Sequence, residues 1–151
     1  MSTTTVIIEQ ADRLNPQPTD QELEALANFR SALRKFLAFS EAAAADEGVT
    51  MQWYQALLVI KTFRGDGHIS IGELADQLMI RDHSAAELVS RLDQAKLVKR
   101  KTDPSDRRRS LVIMTSSGGR CLDRLALLHL RELRKIKGAF TSLFQSGGEE
   151  F

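Results

Sequence analysis

Cysteine, proline and aromatic residues are all scarce in this chain of 151 residues, which has one Cys, three Pro, one Trp and one Tyr. Each scarcity excludes something. The lone Cys121 cannot close an internal disulfide, so neither a stapled fold nor an oxidising compartment is indicated. No apolar run approaches the roughly 20 residues that cross a bilayer. Met1 to Gln10 lacks the basic start and apolar stretch of a signal peptide. A cytoplasmic protein without a membrane partner is expected. The three histidines, His68, His83 and His129, are scattered with no metal-ligand spacing. There is no Gly-rich phosphate loop, nucleophile elbow or zinc-protease pattern. Neither an enzyme, a metal nor a cofactor is therefore expected.

What is present is an ordinary globular composition, 42% hydrophobic and 27% charged, enough for one domain rather than two. The net charge of +1 argues for no partner by itself. Its distribution does. Residues 1–50 hold four basic and eight acidic side chains, whereas residues 96–110 hold seven basic and two acidic. Such a local cluster is the footprint of a phosphate-binding edge, and it is also what a solvated charged loop looks like.

Residues 1–19 contain Pro16 and Pro18 and show no sustained period, which predicts a mobile N-terminal arm. From Asp20, the apolar residues Leu23, Leu26, Phe29, Leu33, Phe36 and Leu37 recur mostly at three- and four-residue steps, predicting a helix that ends near Gly48. Thr50 suits the N-cap of a second helix with Trp53, Leu57, Leu58 and Ile60 inside, stopped by Gly65-Asp66-Gly67. A short extended piece, His68-Ile69, follows. Ser70-Ile71-Gly72-Glu73 has capping-box spacing and opens a short helix through Leu74, Leu78 and Met79. Another helix opens at Asp82 or His83, with Ala85, Leu88, Val89 and Leu92 on one face. Two short helices joined by a tight turn form a helix-turn-helix. Leu97–Lys101 and Ser110–Met114 read as strands around the turn residues Asp103-Pro104-Ser105-Asp106. Thr115 or Ser116 caps a long last helix with Cys121, Leu122, Leu125, Leu128, Leu133 and Ile136 on its apolar side. Gly138 is placed to interrupt it, leaving Phe140, Leu143 and Phe144 to pack as one more turn.

The expected fold is mainly α with a small β-hairpin: a winged helix-turn-helix over 49–115, with helical dimerisation regions at 20–48 and 116–151. Four blocks carry a resemblance: Thr50-Met51-Gln52-Trp53-Tyr54-Gln55-Ala56-Leu57, Ile71-Gly72-Glu73-Leu74-Ala75, Leu88-Val89-Ser90-Arg91-Leu92, and Asp103-Pro104-Ser105-Asp106-Arg107-Arg108-Arg109 followed by Val112-Ile113-Met114-Thr115. Over roughly residues 20–137 the chain resembles the MarR family of transcriptional regulators. The wing block is the most specific of the four. The resemblance implies a regulator, with repression as a family expectation only, that binds a pseudo-palindromic duplex as a homodimer.

The candidate contacts are named on physical grounds. A helix starting near Asp82 fits a major groove about 12 Å wide, offering His83, Ser84, Glu87 and Arg91 to base edges or phosphates. Glu87 would accept from a cytosine amino group, pair with Arg91 one turn on, or face away. Asp106 is spaced to hold Arg108 by a charge-assisted hydrogen bond, orienting it for a minor groove. Asp106 and Arg108 match the family's wing aspartate and arginine, with Arg107 and Arg109 reaching the flanking phosphates. The apolar stripes at residues 23–37 and 121–144 lack a third layer, so a symmetric copy covers them unless they pack on each other within one monomer. The resemblance further implies release from DNA by small molecules or oxidants. Phe36, Trp53 and Tyr54 are candidates to line such an effector crevice, although aromatics at that spacing also read as plain core. Cys121 would sense oxidants only with a stabilised, accessible thiolate. The rival function is a winged helix that binds protein or RNA without specific promoter binding.

Overall fold

A computed structural model describes residues 17–145. The arm expected over 1–19 lies almost wholly outside the described residues, as do positions 146–151 of the last region. Among the described residues five helices and three strands follow in order: α1 (Asp20–Asp46), α2 (Met51–Thr62), β1 (His68–Ser70), α3 (Ile71–Leu78), α4 (Asp82–Gln94), β2 (Val98–Thr102), β3 (Ser110–Met114) and α5 (Ser116–Gln145). The strands form one antiparallel sheet in the order β1-β3-β2. Val98 stands opposite Met114 and Thr102 opposite Ser110, while His68 pairs with Ile113. The expected hairpin is thus the larger part of a three-stranded sheet, because the short piece at His68 finds its partner 45 residues on in β3.

Most helix boundaries follow from local hydrogen bonding. Thr50 accepts from the Trp53 N–H (3.1 Å). Ser70 accepts from the Glu73 N–H (3.2 Å) while Glu73 accepts from the Ser70 N–H (2.9 Å), closing the capping box. Thr19 and Glu22 make the same reciprocal pair at the head of α1. At α5 the cap is Thr115, which accepts from the Gly118 N–H at 3.1 Å. Three expectations need correction. Met79 is not part of α3: it sits at the C-cap in the left-handed region (φ 55°) and is 93% exposed. Gly138 does not interrupt α5, which runs on to Gln145; a single helical glycine costs only about 1 kcal/mol. In α2 the buried residues are Tyr54, Ala56, Leu57 and Ile60, with Trp53 and Leu58 only half-buried.

Two compact units emerge. One spans 38–131 and contains the sheet, α2, α3 and α4 together with the adjoining ends of α1 and α5. Its core joins Ala43, Leu57, Ile60, Ile69, Leu74, Val89, Leu92, Val98, Val112, Leu122 and Leu125. The four apolar residues of α4, Ala85, Leu88, Val89 and Leu92, are all buried, as their spacing predicts. The other unit holds residues up to 37 and from 132. There Phe29 and Phe140 meet edge to face with centroids 5.1 Å apart. The side chains of Leu143 and Phe144, expected to continue that packing, lie outside what is described.

Candidate nucleic-acid interface

With Ala85, Leu88, Val89 and Leu92 turned into the core, α4 must present its other face outward. His83, Glu87 and Arg91, at four-residue steps, are exposed and Ser84 is partly so. They form one stripe that climbs about 12 Å at 1.5 Å per residue. Among the described residues none of the three charged or titratable side chains is held in an ion pair, so Glu87 and Arg91 stand one turn apart without joining. Of the alternatives for Glu87, the pairing with Arg91 is not adopted.

The wing is shaped by its acids. The Asp103 carboxylate accepts from the Ser105 N–H (2.8 Å) and the Asp106 carboxylate from the Arg108 N–H (3.0 Å). Both are side-chain turns that tighten a loop without strand pairing. The loop closes where the Asp103 N–H donates to the Arg109 carbonyl (3.0 Å) and the Arg109 N–H to the Asp106 carbonyl (2.9 Å). Asp106 therefore grips Arg108 mainly through its backbone. The guanidinium Nε is 3.7 Å from the same carboxylate, and the side chain remains 95% exposed. Arg107 is also exposed, with no ion pair among the described residues. Arg109 differs: its guanidinium lies 3.5 Å from Glu73 and 3.9 Å from Asp103. Along β2, Lys99, Arg100 and Lys101 are exposed, with Arg100 bonded to Asp93 of α4 (3.2 Å).

The aromatic residues considered for an effector crevice fall in both units, Phe36 in one and Trp53 and Tyr54 in the other. Tyr54 is core, stacked on the His129 ring at 4.4 Å, and burial pushes its hydroxyl pKa up. His129 is itself buried, with Nε2 2.6 Å from the Ser40 hydroxyl and Nδ1 2.6 Å from the Leu125 carbonyl. No spacing in the sequence points to that pair of contacts. Trp53 is half-buried beside the same core, and Phe36 is half-buried in the other unit. Cys121 is buried, and burial, followed by the Glu47 charge, pushes its thiol pKa up. Arg124 pulls the other way but is outweighed by burial and by Glu47, the carboxylate it is paired with through Nη2 at 2.8 Å. Among the described residues no cluster of metal-ligating side chains occurs and no helix is long and apolar enough to cross a membrane.

A helix-turn-helix followed by a charged hairpin on a three-stranded sheet is a winged helix-turn-helix. Residues 47–109, which hold the helix-turn-helix and the wing as far as the start of β3, match the MarR family model. That match and the fold identify a winged helix-turn-helix similar to those of MarR family regulators. Among solved structures it is similar to AbsC, a MarR family transcriptional regulator from Streptomyces coelicolor, with 25% identity and a TM-score of 0.65 over 79% of this chain and 80% of that one. It is similar in fold to a MepR variant of S. aureus bound to an oligodeoxyribonucleotide, with 18% identity and a TM-score of 0.64 over 78% of this chain and 94% of that one. NadR in complex with 4-hydroxyphenylacetate gives 19% identity and a TM-score of 0.63 over 73% and 76%. No curated protein sequence matches.

Proposed function

We propose that this chain is a cytoplasmic transcriptional regulator that binds a pseudo-palindromic DNA duplex as a homodimer. Its role is binding rather than catalysis. The observation that carries the reading is the wing tip: Arg108 is 95% exposed while its backbone is pinned by Asp106, so the loop that presents the cation is already ordered and only the side chain's own rotamers remain to be fixed on binding. Such an arginine suits the negative potential of a narrow minor groove. His83, Ser84, Glu87 and Arg91 would then meet base edges and phosphates in the adjoining major groove, and Arg107 a phosphate. Leu23, Leu26 and Leu37 of α1 and Leu127, Leu130 and Leu133 of α5 are exposed, apolar surface suited to a second copy. Two copies would present their α4 helices to successive major grooves about 34 Å apart. Repression, and release by a small-molecule effector, extend the proposal by likeness to the family and to the ligand-bound NadR structure.

Binding of the purified protein to duplex from its own promoter region tests this, with single-stranded RNA as competitor. Affinity should fall with salt by a log-log slope of about −0.9 per neutralised phosphate. Arg108→Ala should weaken binding at least tenfold without changing the melting temperature or the sedimentation mass, a loss of about 1.4 kcal/mol or more. An Arg108→Ala protein that binds as tightly as the parent refutes the wing assignment.

A further inference from the structure

A single carboxylate at the head of α3 faces the root of the wing. Glu73 already closes the capping box with Ser70. Its oxygens also meet cations from two other segments: one lies 3.4 Å from Arg64, in the turn after α2, and the other 3.5 Å from Arg109, where the wing loop rejoins β3. Arg109 extends the chain of charges to Asp103 on the opposite side of the loop, at 3.9 Å. These residues line a cleft of about 380 Å³ between that turn and the wing. The Ser70 backbone N–H, ahead of the neighbouring cations, holds the Glu73 carboxyl below the usual carboxylate range, so it is charged at neutral pH.

We propose that Glu73 and Arg109 form the pair that sets the wing's angle against the helix-turn-helix, which makes Arg109 a positioning residue and not a phosphate contact. The proposal rests on the DNA-binding reading above. Arg108 and Arg109 are neighbours where the chain straightens into β3, so their side chains leave in different directions. Drawing Arg109 toward Glu73 sends Arg108 outward, consistent with side chains 47% and 95% exposed. The hydrogen bonds of Ser105 to Asp103 and of Arg108 to Asp106 shape the loop internally but do not tie it to α3. An exposed ion pair is individually weak. A weak tie still biases a hairpin tip whose alternative orientations differ little in energy.

The test uses the sign of an electrostatic effect. Glu73→Gln keeps a residue suited to the capping box and removes one negative charge near bound DNA. Charge alone predicts tighter binding. The positioning role predicts binding about two- to fivefold weaker, the range of a lost surface ion pair. Arg109→Gln should weaken binding to the same extent, the double variant no further than either single one, and Arg109→Lys should recover most of the loss. The salt slope should stay at the parent value in Arg109→Gln. A Glu73→Gln protein that binds as well as or better than the parent overturns the proposal, as does a fall of about 0.9 in the Arg109→Gln slope, the mark of a lost phosphate contact. Should Glu73→Gln fail to fold, the Arg109 variants carry the same comparison without touching the cap. Hydrogen exchange of the 103–109 amides separates the two readings. If the parent binds no DNA, the functional reading falls, while the pair still stands or falls on whether those amides exchange faster in both Gln variants than in the parent.

Discussion

Gly118 and Gly119 are adjacent in the first turn of α5, yet their replacement by alanine should move stability in opposite directions. A Cβ on Gly119 meets nothing within 4 Å. Gly119→Ala should accordingly show the ordinary helix-propensity gain of about 1 kcal/mol. A Cβ on Gly118 would fall on the Leu97 carbonyl oxygen, with Met114 Cγ at 2.8 Å and the Leu97 carbonyl carbon at 3.0 Å. That carbonyl is backbone and cannot swing aside, because it already accepts from the Thr115 N–H at 3.0 Å. The start of α5 would have to lift off the strand ends. Overpacking costs about 1–3 kcal/mol and a weakened Thr115 bond about 1 kcal/mol more. Against the propensity gain, Gly118→Ala should lose about 1–3 kcal/mol net, lowering Tm by about 2–12 °C in a chain of this size. Urea and thermal melts of the two variants at one protein concentration make the comparison. A Gly118→Ala protein as stable as Gly119→Ala would refute the close approach of α5 to the base of the wing.

Met79 occupies a left-handed conformation with 93% of its surface exposed, so Met79→Gly should relieve strain and raise stability by about 0.5–1 kcal/mol in urea melts; a loss of stability would indicate that Met79 is held by contacts. The Arg124 hydrogen bond holds the Glu47 carboxyl below its usual range. A carboxyl depressed on folding contributes stability that is present above its unfolded pKa and lost as pH falls through the folded one. Tm should therefore drop on acidification below the usual glutamate range, and Glu47→Gln should flatten that slope; an identical acid profile in the variant would discount the pair. Burial and a raised pKa make Cys121 a poor nucleophile, so a thiol reagent should label the native protein far more slowly than the urea-unfolded one. Equal rates would reopen an oxidant-sensing role.

Interactions spanning only a few residues are legible in the sequence. Ser70 and Glu73 are three apart, as are Thr50 and the Trp53 amide; Asp106 and Arg108 are also joined as their spacing suggests, though through the Arg108 backbone N–H more than through the expected guanidinium. For such pairs the backbone geometry of a helix start or a turn already brings donor to acceptor. The same locality fixes the apolar face of α4, since burial follows a helical period once one face is occupied. Where two residues compete for the interior, periodicity is blind. Trp53 and Tyr54 are neighbours in α2, and only the buried His129 ring, brought alongside from α5, favours the tyrosine.

By itself, then, the order of residues determined the two short helices, the acid-braced wing and the outward stripe of His83, Glu87 and Arg91, because each depends on contacts within a few residues of chain. Tertiary structure alone decided that Arg109 turns toward Glu73, that Ser40 meets His129 and that Gly118 lies against Leu97. Those partners stand 21 to 89 residues apart, and no local rule of spacing can choose among the many side chains at such distances. Packing of one common core makes that choice, by leaving room for only one arrangement of the elements that carry them.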